Sequence, residues 1–224
     1  MKGVYVSKID KTKPLPDHTR INYYECCAKL ILEEVFPERY SELKLDDAPD
    51  IQGCDVGIEV TIGNNQKKME ALNNWVKANA CEDDKKRKKY TERMAQLGVK
   101  YTGGVQGWPL ETPSFKETKN AVNGKIKKLQ NGGYKEFPRY ELFVFTDTWY
   151  HDTIIRTAKE HFFEESVCDW FKTIYVFSME TDLHIFETDI KEHTVINIET
   201  SEQSDRNRRA RRMVEDAEDM CENE

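Results

Sequence analysis

Nowhere does this 224-residue chain approach the roughly 18 consecutive apolar residues that a membrane-spanning helix requires. The first twenty residues hold Lys2, Lys8, Asp10, Lys11 and Lys13 and no apolar run, so they do not read as a signal peptide. The expectation is a soluble, unexported, cytoplasmic protein with no membrane partner. Its six cysteines (Cys26, Cys27, Cys54, Cys81, Cys168 and Cys221) form no CxxC pair and stand at no zinc-ligand spacing with a histidine, which argues against a zinc module. The adjacent Cys26 and Cys27 read as small buried hydrophobes in a reducing compartment. A P-loop, a dinucleotide fingerprint and a GxSxG elbow are all missing, so nucleotide-driven and serine-hydrolase chemistry have little support. No internal repeat is visible, and no helical or hairpin spacing groups His151, His161, His184 and His193.

Charge is abundant, but unevenly placed. The formal net charge is −7, from 34 basic and 41 acidic residues. Between Lys85 and Arg139, however, 14 Lys/Arg face only 4 Asp/Glu. A basic middle between acidic ends can present a phosphate-attracting face on an acidic body. Its densest part is the run Lys85-Lys86-Arg87-Lys88-Lys89, which also suits a solvated helix face.

Periodicity predicts a helix from Asn22 to Phe36, with Tyr24, Cys27, Ala28, Ile31 and Val35 on one side and Pro37 closing it. Ala48 to Gln52 reads as a short extended strand, Gly53 to Asp55 as a turn and Val56 to Ile62 as a β-rich strand. Gln66 to about Leu97 reads as one polar helix with Met69, Leu72, Trp75 and Val76 inward. Gly98 to Pro113 reads as loops with one short strand. A further helix from Phe115 to Gln130 places Val122, Ile126 and Leu129 inward, and Gly132-Gly133 stops it. Strands are predicted at Tyr140–Phe145, Thr173–Phe177 and Asp182–Phe186, and a helix at Asp152–Glu164. Trp75, Trp149 and Trp170 are expected to pack in the core or at its edge, with Trp108 in its glycine-rich loop the one most open to a binding role. Strands alternating with helices indicate an α/β domain on a mixed sheet. That domain is expected over residues 1–198, with a basic helical insertion at about 66–114, and residues 199–224 as a charged helix or frayed tail.

Two carboxylates carry the chemical reading. Asp50 follows a proline at the start of one strand, and Glu59 lies in the middle of the next, so a hairpin can bring them together. Hard divalent cations take oxygen ligands at roughly 2.1 Å, often one or two carboxylates plus waters. Such an ion polarises a phosphodiester oxygen and activates water. The structural alternatives are specific: Asp50 suits a turn cap, and Glu59 among Val56, Ile58, Val60 and Ile62 is costly unless exposed or paired.

The runs Asp47-Ala48-Pro49-Asp50-Ile51 and Gly57-Ile58-Glu59-Val60-Thr61 resemble the PD-(D/E)XK nuclease superfamily. More narrowly, the chain is similar to uncharacterised bacterial members with a helix like Tyr24-Glu25 to Phe36-Pro37, and elements like Lys125 to Leu129, Gly132-Gly133-Tyr134 and Tyr140 to Phe143. The resemblance implies a restriction-endonuclease-like αβββαβ core, with a mixed central sheet and flanking helices, that hydrolyses nucleic acid with Mg²⁺ or Mn²⁺. It assigns the metal to Asp50 and Glu59, with the Val60 carbonyl as third oxygen and Glu25 as the first-helix glutamate. Thr61 departs from the pattern, which places lysine there to orient water and offset phosphorane charge. Lys125, beside Val122 and Leu129, is the best-placed substitute and Lys128 the second, while Gln66 could orient a water. The expected partner is nucleic acid, DNA ahead of RNA, with Lys85 to Lys89 helping to hold it; a homodimer is left open. The rival expectation is a catalytically degenerate module that binds nucleic acid or a protein.

Overall fold

The computed structural model describes residues 14–16, 18–101, 105–106 and 114–219. Trp108, Cys221 and the lysines at positions 2 to 13 lie outside the described residues. Along the chain the elements are α1 (Tyr23–Val35), β1 (Lys44–Leu45), β2 (Ile51–Gln52), β3 (Val56–Ile62), α2 (Gln66–Ala80), α3 (Asp84–Gln96), β4 (Lys100–Tyr101) and β5 (Val105–Gln106). There follow α4 (Lys116–Gln130), β6 (Arg139–Thr146), α5 (Asp152–Phe162), α6 (Glu165–Cys168), β7 (Thr173–Ser178), β8 (Asp182–Glu187), β9 (Glu192–Asn197) and α7 (Thr200–Asp219). No described helix is long and apolar enough to cross a membrane.

The chain divides into two compact units, one of Met1–His18 with Asn64–Pro113, the other of Thr19–Gly63 with Ser114–Glu224. In the first, the sequence predicts one continuous helix where there are two. Asp83 ends the continuity by capping α3, its Oδ1 accepting from the Lys85 N–H at 2.8 Å, as an N-cap aspartate does. The inward positions also differ. Ala71 and Ala78 are the buried residues of α2, because the close approach of α3 favours small side chains; Trp75 packs partly against Ala71, Met94 and Val99. The predicted single strand after α3 is a pair, β4 antiparallel to β5.

The second unit is built on a seven-stranded mixed sheet in the order β1-β2-β3-β6-β7-β8-β9. β3, β6 and β7 run parallel, and the flanking pairs are antiparallel. The three central strands are therefore largely buried on both sides. On one face Ile51, Ile58, Val60, Phe143 and Tyr175 pack with Ala28, Ile31 and Leu32 of α1. On the other, Leu142, Val144, Ile174 and Val176 pack with Val122, Ile126 and Leu129 of α4 and Ile154, Ala158 and Phe162 of α5.

Several expectations change. β1 and β9 were not foreseen: β1 is two residues long, and β9 is an edge strand whose residues are mostly exposed, so neither has a clear alternating pattern. Ala48, expected to be extended, has φ 94, and β2 begins only at Ile51. The charged C-terminal stretch forms a 20-residue helix with Arg206, Ala210, Val214, Glu215 and Ala217 buried. It lies against α1, which accounts for the burial of Cys26 and Leu30 outside the predicted stripe. Arg206 reaches Glu34 at 2.8 Å, so this buried charge is paired.

Candidate active site

Strand parity puts the two carboxylates on one face. Gln52 is opposite Gly57 in the β2–β3 register, and alternate residues of a strand share a side. Asp50 and Glu59 thus belong to the face that α4 covers. β2 is too short to continue the ladder past Ile51, leaving the Val60 N–H without a backbone partner there. The Asp50 side chain takes that bond, Val60 N to Oδ2 at 2.7 Å. In an extended strand the carbonyl of a residue points to the same side as its N–H, so the Val60 carbonyl opens toward Asp50.

α4 supplies the third group. Lys125 follows Val122 by three positions and precedes Leu129 by four, which sets it on the sheet-facing side. Its Nζ donates to Asp50 Oδ2 at 2.8 Å and to Glu59 Oε2 at 2.5 Å. Glu59 is only 1% exposed, and its Oε1 is buried with no hydrogen-bond partner. Burial pushes the Glu59 carboxyl above the usual range, while Lys125 pulls it down and Asp50 pushes it further up. Burial works to lower the Lys125 ammonium, but Glu59 and Asp50 overcome it and raise the pKa. Lys125 is therefore charged at neutral pH, and it holds Asp50 and Glu59 as a paired cluster.

The remaining sequence-predicted residues are placed unequally. Glu25 lies within electrostatic reach: its carboxyl is raised to about 7, first by burial and then by Asp50. Thr61 shares the Glu59 face, two positions along, and is half-buried. Lys128 is exposed and acts on Glu59 through its charge. Gln66 and the run Lys85 to Lys89 belong to the other compact unit; in that run only Arg87 is half-buried, bound to Asp84 at 2.6 Å. Among the described residues, no group of three or more His, Cys, Asp or Glu side chains is arranged as a metal cage. Two carboxylates, one with an unpartnered buried oxygen, nonetheless suit an ion such as Mg²⁺ that keeps several waters.

Sequence reasoning missed two groupings. Tyr134, on the loop after α4, has its phenol raised by burial and then by the Glu59 carboxylate; its place in Gly132-Gly133-Tyr134 was visible, its proximity to Glu59 was not. His184 and His193 face each other across β8 and β9, Nδ1 to Nε2 at 3.1 Å, although no spacing grouped them. β9 had not been recognised, so the hairpin joining them was invisible. Trp149, expected to pack, is 62% exposed. Compared with protein-family models, curated proteins and solved structures, the chain matches none.

Proposed function

We propose that this protein is a divalent-metal-dependent nuclease of the PD-(D/E)XK type. The observation that carries the reading is the convergence of Asp50, Glu59 and the Lys125 ammonium on one sheet face, at 2.8 and 2.5 Å. Setting aside Asn64–Pro113, the order α1, β1, β2, β3, α4, β6 agrees with the αβββαβ core of that superfamily. Asp50 and Glu59 would hold Mg²⁺ or Mn²⁺, with the Val60 carbonyl beside them and Glu25 nearby. The bound ion would supply Lewis-acid polarisation of a phosphodiester oxygen and acidify a water.

The chain's own groups then have separate tasks. Lys125 replaces the lysine that the pattern places at Thr61. Being charged, it cannot accept a proton; it donates hydrogen bonds and offsets negative charge developing on phosphorus. Glu25, with a carboxyl that titrates near neutrality, is suited to take a proton from water. The basic run on α3 adds attraction for the phosphate backbone. Five described cysteines are free thiols, which suits a reducing cytoplasm.

A second reading has its own support. Lys125 already pairs with both carboxylates, so the cluster can serve as structure in a binding module. One experiment separates the two. Plasmid and labelled DNA and RNA oligonucleotides are incubated with the protein in Mg²⁺, Mn²⁺ or EDTA, alongside Asp50→Ala and Glu59→Gln. A nuclease cuts only with metal and loses cutting in both variants while their melting curves remain cooperative. Equal cutting by parent and variants would overturn the site; metal-independent binding with no cutting would favour the module.

A further inference from the structure

The loop between α4 and β6 is tied down as a strap over the candidate site. Gly132 and Gly133 have φ 75 and 89, a conformation glycine adopts without strain, and they reverse the chain after α4. Beyond them the Lys135 N–H bonds the Ala48 carbonyl at 3.1 Å, two residues before Asp50. The Tyr140 hydroxyl bonds the Lys135 carbonyl at 2.7 Å. Gly57 makes room beneath: a Cβ there would lie 2.6 Å from Pro49, 2.9 Å from Phe137 and 3.2 Å from Tyr140. Tyr134 packs partly against the α4–β6 core.

This strap carries groups that the proposed chemistry does not use. Lys135 is exposed, and its Nζ donates one of its three hydrogens to Gln52 Oε1 at 3.1 Å. Gln52 faces Gly57, one side-chain position (roughly 7 Å) along the strand from Glu59. Lys128, one helical turn beyond Lys125, is exposed and makes no ion pair among the described residues. Tyr134 lies beside Glu59, and its phenol O–H is a hydrogen-bond donor. Lys128 and Tyr134 thus lie within electrostatic reach of Glu59, and Lys135 binds Gln52 one side-chain position away, each able to donate to an anionic oxygen.

We infer that Tyr134, Lys128 and Lys135 form a subsite for a neighbouring phosphate of a nucleic-acid strand, so that the substrate is a polymer rather than a mononucleotide. The inference rests on the nuclease reading for its orientation, but the subsite binds without metal. Phosphodiesters fit better than acidic side chains: each carries a single spread charge, accepts several donors and repeats at a fixed interval along the strand. Tyr134 and Phe137 add apolar surface for a sugar or base edge.

The test measures binding of a labelled dodecathymidylate by fluorescence anisotropy in EDTA, across a salt series. Lys128→Ala/Lys135→Ala should weaken binding at least ~10-fold and flatten the log–log salt slope by about 1.4, the value for two lost contacts on a single strand. Tyr134→Phe should weaken binding severalfold with no change in slope, because no charge is lost. Lys128→Arg/Lys135→Arg should restore both affinity and slope, which a merely structural role would not require. Melting curves confirm that each variant is folded. Binding and slope equal to the parent, or a parent that does not bind the strand, overturns the inference; so does equal affinity for thymidine monophosphate and the strand. If the strand is bound through these residues but never cut with Mn²⁺, the nuclease reading fails and the subsite stands.

Discussion

At the residue scale the site is governed by the cost of burying charge. Glu59 is shielded from water and lies against the Lys125 ammonium, whose side chain is 11% exposed. Removing one partner of such a pair leaves an uncompensated charge. Lys125→Met should therefore destabilise the fold by about 3 kcal/mol at neutral pH, read from urea unfolding. The loss should shrink on acidification, as the abandoned Glu59 takes up a proton, and should be partly recovered in Lys125→Met/Glu59→Gln. Glu25 provides a second test. Its folded pKa of about 7 stands above the ordinary 4.5, so between these values the folded state holds more proton than the unfolded. Its contribution to stability is present below about pH 4.5 and is lost as pH rises through 7. Glu25→Gln should flatten the fall in melting temperature across that window; an unchanged profile would show that Glu25 does not titrate there.

Elements decide which side chains can meet. β2 begins only at Ile51 and within β3 pairs only with Gly57 and Ile58, so the Asp50 carboxylate, and not another backbone group, completes the Val60 bond. α4 spans the face that holds Glu59, and its inward row brings Lys125 with it. The strap depends on a missing side chain at Gly57. Gly57→Ala places a methyl against Pro49 and Phe137 at distances a packed structure does not tolerate. It should cost about 1–3 kcal/mol through displacement of the strap, measurable by urea unfolding. It should also weaken strand binding more than the melting shift alone would suggest. Affinity unchanged in a destabilised variant would detach the strap from binding.

For the whole molecule, each compact unit has its own core, Ala71, Met94 and Val99 in one and two larger clusters in the other. The intervening segment also leaves and rejoins the sheet at one place. Thr146 Oγ1 bonds the Gly63 carbonyl at 3.2 Å, and Thr148 Oγ1 bonds the Ser114 carbonyl at 3.4 Å. Replacing residues 64–113 by a short Gly/Ser linker should leave a cooperative thermal transition and β-sheet circular dichroism, since loop closure at this length is entropically mild. A non-cooperative product would show that the sheet depends on that segment.

Much of this was legible without coordinates. Asn22 and Pro37 bound α1, and turn residues separate β2 from β3 in a hairpin that can bring Asp50 and Glu59 together. Those are local properties of the chain. Only the tertiary structure decided that Lys125, 66 residues beyond Glu59, bridges both carboxylates, that Tyr134 comes back to them, and that His184 meets His193. Exposed edge strands such as β9 need no hydrophobic alternation, and a charged helix such as α7 reads as solvated until Glu34 is found opposite Arg206. Local sequence sets backbone conformation and face; which faces are brought together depends on long-range packing, and that is where these charges acquire their partners.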